Sequence, residues 1–130
     1  MPSQETLNRF IERVESNAHA EAVEEFYTKE VVIRENQTET RIGQAAQVAR
    51  ERAFLSRAVR ISSTCVRPVL QSGDHVAIRW IFEFHWRDGT VTHMEEVALQ
   101  RWEGELVAEE SFFYDPAQRI PRRAAERSLS

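Results

Sequence analysis

Near the start of the chain Leu7, Phe10, Ile11 and Val14 fall at i, i+3, i+4 and i+7 behind Ser3, a spacing that gathers them on one face of a capped helix. Asn17 stands where it can cap a second, short helix with Ala22, Val23, Phe26 and Tyr27 on one side. Val31, Val32 and Ile33 form a β-branched run too short for a helix. A strand is predicted there, ended by the polar loop Glu35-Asn36-Gln37-Thr38. From Gly43 to Val59 good helix formers return, with Ala46, Ala49, Ala53 and Phe54 at helical spacing.

The period then changes to two. From His75 to Trp86, Val76, Ile78, Trp80, Phe82, Phe84 and Trp86 take one face, and the mixed set Ala77, Arg79, Ile81, Glu83 and His85 takes the other. Strands are predicted on either side, about Arg60 to Leu70 before it and Val91 to Trp102 and Leu106 to Tyr114 after it. Gln71-Ser72-Gly73-Asp74, Asp88-Gly89 and Glu103-Gly104 supply the turns, and Asp115-Pro116 stops the last strand. Helices first and an antiparallel meander afterwards define an α+β domain, a sheet with helices on one face. That domain is expected to span residues 1–116, with 117–130 an Arg-rich surface tail.

Turn geometry extends the reading to cross-strand pairs. A two-residue loop at Asp88-Gly89 sets Phe84 opposite His93, Phe82 opposite Glu95 and Trp80 opposite Val97. The same count at Glu103-Gly104 sets His93 beside Tyr114, Glu95 beside Phe112 and Val97 beside Glu110. These side chains then share the aromatic face. The opposite face collects Arg79, Glu83, His85, Met94, Glu96, Gln100 and Glu109 around Ile81, Val107 and Phe113. It is either solvated or the surface through which two subunits pair. A four-residue loop preserves this parity, and a three-residue bulged loop reverses it.

Two carboxylates on an otherwise aromatic surface make Glu95 and Glu110 the candidate catalytic pair. Repulsion and desolvation together raise at least one pKa toward neutrality, which is how a general acid or base for chemistry near pH 7 is made. Tyr114 and His93 are candidates to stabilise a developing oxyanion or to orient the acids. The plainer alternative leaves both acids hydrated, or paired with an arginine such as Arg67. Trp80, Phe82, Phe84, Phe112 and Val97 are expected to line a ligand pocket, with Glu35 and Asn36 at its mouth.

Composition narrows the partners. The 130 residues, 42% hydrophobic and 29% charged, suit one globular domain with a real core. A net charge of -4 argues against nucleic-acid binding, and no apolar run is long enough for a membrane span. No signal-peptide pattern opens the chain, and the single Cys65, expected as a small core residue, allows no intramolecular disulfide. A cytoplasmic location is expected. His19, His75 and His85 lack ligand spacing, and no phosphate loop or nucleophile elbow occurs, so neither metal nor cofactor is expected.

The order helix, helix, strand, helix, meander, the segment VVIREN leading through Gly43 into the long helix, and the run ALQRWEGELVAEESFFYDP carry a resemblance. Together they resemble the nuclear-transport-factor-2-like superfamily, and within it the SnoaL-like polyketide cyclase and ketosteroid isomerase branch, over roughly Leu7 to Pro116. The resemblance implies a cone-shaped fold, a strongly curved sheet wrapped on helices around a deep pocket, often dimerising through its outer face. It also implies activities ranging from isomerases, cyclases, dehydratases and epoxide hydrolases to binding proteins without catalysis. The Arg-x-Asp pair of limonene-epoxide-hydrolase-like members is missing, since Trp80 and Phe82 take the pocket-facing positions and Phe112 takes that of their last-strand aspartate. Polyketide-cyclase-like members use an acid on the last strand, for which Glu110 is the nearest candidate. The expectation is a homodimer binding a small, largely apolar, oxygenated molecule. Its chemistry would be cofactor-independent acid–base isomerisation, cyclisation or dehydration, and the alternative is a non-catalytic ligand-binding or dimeric assembly module.

Overall fold

A computed structural model describes residues 1–123. Helix α1 (Gln4–Glu15) begins at Ser3, whose Oγ accepts the Thr6 N–H at 3.1 Å, and it buries Leu7, Phe10, Ile11 and Val14 as their spacing predicts. Helix α2 (His19–Phe26) buries Ala20, Ala22, Val23 and Phe26 but has no side-chain cap. Asn17 instead takes a left-handed φ of 71° and donates from Nδ2 to the Ile61 carbonyl at 3.1 Å, tying the helical turn to the sheet. Tyr27 leaves the helix and opens β1 (Tyr27–Glu35), which outruns the Val31–Ile33 core of the predicted strand.

Strand β2 (Glu39–Ile42) pairs antiparallel with the end of β1; its polar sequence Glu-Thr-Arg-Ile gave no strand signal. Helix α3 (Gln44–Leu55) turns a different face inward from the one its alanines suggested. Gln47 and Val48 are buried, while Ala46, Ala49 and Ala53 are exposed. The polar inner positions are tolerated because Gln47 accepts from Arg41 Nε at 3.1 Å and donates to Glu51 at 2.9 Å.

Strands β3 (Ala58–Ser72), β4 (His75–Trp86), β5 (Thr90–Glu103) and β6 (Leu106–Phe113) form the long antiparallel meander. The sheet order is β2-β1-β6-β5-β4-β3, with β1 parallel to β6, so the last long strand is inserted beside the first. This is an α+β fold with a curved, mixed, unclosed sheet. Phe10 meets Phe26 and Trp102 edge to face at 5.6 and 5.8 Å, joining both N-terminal helices to the sheet's concave side. Cys65 is buried there as well.

The segment expected as a surface tail is exposed but not unstructured throughout. Pro116–Arg119 forms a 3-10 turn, and β7 (Arg122–Arg123) pairs with Val91 and Thr90 of β5. Residues 124–130 of that expected tail lie outside the described residues.

Candidate active site

The site depends on two hairpins, and both depart from the simplest count. Between β4 and β5 the connection is Arg87-Asp88-Gly89, because His85 pairs with Val91 and the Gly89 N–H closes on the Trp86 carbonyl at 3.1 Å. Gly89 sits at φ 87°, the left-handed position that a three-residue hairpin requires and glycine fills without strain. The register moves by one, so Phe84 faces Thr92, Phe82 faces Met94 and Trp80 faces Glu96. The predicted partners His93, Glu95 and Val97 are thereby corrected: all three point to the outer face.

The second hairpin corrects the pairing again. Arg101 pairs with Glu109 but Trp102 with Val107, leaving Ala108 as an extra, bulged residue. Glu110 lies opposite Gln100 rather than Val97, and Phe112 opposite Ala98 rather than Glu95. Relative to the expected pairing this is a slip of three. Two odd slips cancel for β6, so Glu110, Phe112 and Tyr114 do share a cavity with Trp80, Phe82 and Phe84. The expected outer set loses Met94, Glu96, Gln100 and Val107 to the interior.

The cavity has a volume of about 640 Å³ and lies between the concave sheet and helices α2 and α3. One wall is aromatic: Trp80 stacks on Phe82 at 5.5 Å, Phe84 on Trp86 at 5.8 Å, and Phe54 meets Phe84 edge-on at 4.9 Å. The other wall carries four carboxyl groups, Glu35, Glu51, Glu96 and Glu110. Of the predicted mouth residues, Glu35 lines the cavity and is paired with Arg41 at 3.1 Å. Asn36 serves the frame: its Oδ1 accepts the Tyr114 N–H and its own N–H binds the Phe112 carbonyl, both at 2.9 Å. Arg67 takes no part, facing Glu15 at 3.7 Å.

Glu110 is 2% exposed and completely held. Tyr27 Oη donates to its Oε1, Gln100 Nε2 donates to its Oε2 at 2.7 Å, and Trp102 Nε1 fixes Gln100 by donating to Gln100 Oε1 at 3.0 Å. Burial pushes Glu110 up to about 7, against both hydrogen bonds, which favour the ionised form. Glu96 has no side-chain hydrogen bond or ion pair among the described residues. Burial first, and then the charge of Glu110, push it up to about 8. Glu51 is also raised by burial, whereas burial holds His19 down at about 4 against the opposing pull of the Val14 backbone and Glu21.

The chemistry is therefore a coupled pair of carboxyls poised around neutrality, one scaffolded and one unpartnered. Sequence reasoning placed Glu110 and Tyr114 at the cavity and missed Glu96, Tyr27, Glu51 and Gln100. Two signals were available: the glycine third in Arg87-Asp88-Gly89, and the i, i+4 pair Gln47 and Glu51 flanking Val48 on a helix.

Fold and cavity together define a small α+β cone with an acidic and aromatic pocket. The chain belongs to the SnoaL-like domain family, whose model matches residues 7–110. No curated protein matches the sequence. Among solved structures, a protein of ketosteroid isomerase-like fold from Catenulispora acidiphila, in complex with trimethylamine, superposes with a TM-score of 0.73 at 14% identity over 89% of each chain. A candidate SnoaL-like polyketide cyclase from Mesorhizobium loti gives 0.72 at 21% identity, covering 88% of this chain and 100% of its own. An epoxide hydrolase of M. tuberculosis like limonene epoxide hydrolase gives 0.71 at 10% identity, covering 88% and 83%. At such identities the likeness is one of fold.

Proposed function

We propose that this protein binds a small, largely apolar, oxygen-bearing molecule and catalyses cofactor-independent proton transfer next to its carbonyl, the elementary step of isomerisation, cyclisation or dehydration. The observation that carries this reading is the pair Glu110 and Glu96, one buried and one half-buried carboxyl pushed up to about 7 and about 8 in one aromatic cavity. At neutral pH Glu110 is available as a base while Glu96 is mostly protonated. Glu110 removes the proton from the carbon beside the carbonyl, and the electron pair moves onto the carbonyl oxygen. Glu96, or the phenol of Tyr114, donates a hydrogen bond to that oxygen. The enolate collapses when a proton returns to carbon or a leaving group departs from the β-carbon. His93 and Glu95 have no part in this step.

The neighbour of similar fold solved in complex with trimethylamine supports a small-molecule reading. The test begins with a thermal-shift screen of steroid-like, polyketide-like, terpenoid and aromatic keto compounds. 2-Tetralone is then followed by proton NMR in D2O. Loss of its α-proton signal faster than in buffer, abolished by Glu110→Gln, is expected. Binding with exchange no faster than in buffer would overturn the catalytic role.

That outcome would leave the second reading, a non-catalytic binding module, which one observation favours: both Glu110 oxygens already accept hydrogen bonds from the protein. For assembly, we infer a homodimer through the outer sheet face, where Val97, Leu99 and Phe113 are 40%, 44% and 40% exposed. Light scattering should give a dimer that Leu99→Asp converts to monomer; a monomeric wild type would refute the pairing.

A further inference from the structure

The ionisable groups lining the cavity are sorted by depth. Those turned inward are acids, together with His19, the tyrosines and Arg41, whose charge is taken up by Glu35 and Glu39 at 3.1 and 3.2 Å. Every exposed ionisable group in the lining is an arginine: Arg50 on α3, Arg57 just past its end, and Arg119 in the 3-10 turn. The mouth therefore lies between the end of α3 and the turn after β6. Arg50 reaches Glu35 and Glu39 only at 3.7 and 3.8 Å.

Arg57 and Arg119 form no ion pair with a carboxylate among the described residues, though the charge of Arg119 acts on Glu96, and each lies over an aromatic ring. The Arg57 guanidinium lies 5.3 Å from the Phe54 ring centroid and 5.8 Å from that of Trp86, and Arg119 lies 5.8 Å from Tyr114. A cation–π contact uses none of a guanidinium's N–H donors, so an N–H edge is left to donate. That edge matches an oxyanion in two-point fashion, whereas a cation meets repulsion from three arginines on its way in.

We propose that the natural ligand of this cavity is an amphipathic anion, with an apolar body seated against the aromatic wall and a carboxylate or equivalent oxyanion held at the mouth by Arg57 and Arg119. The inference rests on the cavity being the ligand site, and it adds the charge and orientation of the ligand. The anionic end stays at the rim, so the opposite end of the molecule is the one that reaches Glu110 and Glu96.

Three probes with one body separate the possibilities: 1-naphthylacetate, 1-naphthylacetamide and 2-(1-naphthyl)ethylammonium, titrated calorimetrically at low salt. The acid is expected to bind about tenfold more tightly than the amide, with the ammonium weakest. That advantage should shrink at 0.5 M salt. Arg57→Gln with Arg119→Gln should abolish it while leaving amide affinity within about twofold, and Lys at both positions should restore part of it. Both side chains are exposed, and thermal melts of the variants check that the fold is retained. Preference for the ammonium, or an acid advantage that survives the double substitution, would overturn the rim assignment while the cavity reading stands. Binding of none of the three would overturn the cavity reading and this inference with it.

Discussion

Glu95 and Glu96 are neighbours on one strand and live in different chemical worlds. Glu95 lies on the outer face, 41% exposed, in an ion pair with the half-exposed Arg79. Glu96 points into the cavity with no side-chain partner among the described residues and is raised to about 8. The two side chains are the same acid, so the difference belongs to their surroundings: first the solvent Glu96 has lost, then the neighbouring carboxyls, Glu110 foremost. An exposed carboxylate keeps its water and gains little from its arginine. A buried one without a partner keeps its proton instead.

The sharpest way to break this contrast is catalytic. Glu110→Gln should cut α-deuterium exchange of 2-tetralone by about 10²–10⁴-fold, the usual contribution of a general base. Glu95→Gln should change it less than about twofold. Equal effects of the two substitutions would dissolve the distinction between the faces.

Stability against pH comes next. Glu96 and Glu110 bind protons more tightly folded than unfolded, since both stand above the ordinary 4.5. Their contribution is fully present below pH 4.5 and is lost as pH rises through about 7 and about 8. His19 works in the opposite sense: its value of about 4 lies below the ordinary 6.5, so its contribution is present above 6.5 and lost as pH falls toward 4. Between pH 6.5 and 8 the acids act alone, and denaturant melts should show a fall of roughly 2 kcal/mol. Glu96→Gln should remove most of that slope. An unchanged slope would show that Glu96 ionises freely.

A smaller effect sharpens the picture of Glu110. Tyr27→Phe removes a hydrogen bond that favours the carboxylate, so the rising limb of the pH–rate profile should move upward from about 7 by about one pH unit. A downward or absent shift would mean that Tyr27 does not hold the base. Smallest of all, a double-mutant cycle on Arg79 and Glu95 should return less than about 1 kcal/mol of coupling. A larger value would show that Arg79 and Glu95 have lost their water.

Much of the fold was legible because periodicity is local. The α1 face Leu7, Phe10, Ile11 and Val14, and the alternation from Val76 to Phe84, are set by residues a few positions apart, and each is buried as its period requires. The face of α3 was misread because alanine is small enough to be left exposed without cost, while Gln47 could be buried once Arg41 and Glu51 satisfied it. The identity of the second carboxyl was harder still. It turned on one loop residue, Gly89, which reverses the facing of β5, while the bulge at Ala108 reverses β6 again and keeps Glu110 inside.

The sequence by itself determined the α+β class, the aromatic face of β4 and the presence of acids near it, since these follow from local pattern and composition. Only the tertiary structure decided which acids lose their water. Desolvation is a property of the whole enclosure: β5 and β6 bring Glu96 and Glu110, β1 brings Tyr27, α3 brings Glu51, and the walls between them exclude the solvent that would otherwise return each carboxyl to its ordinary acidity.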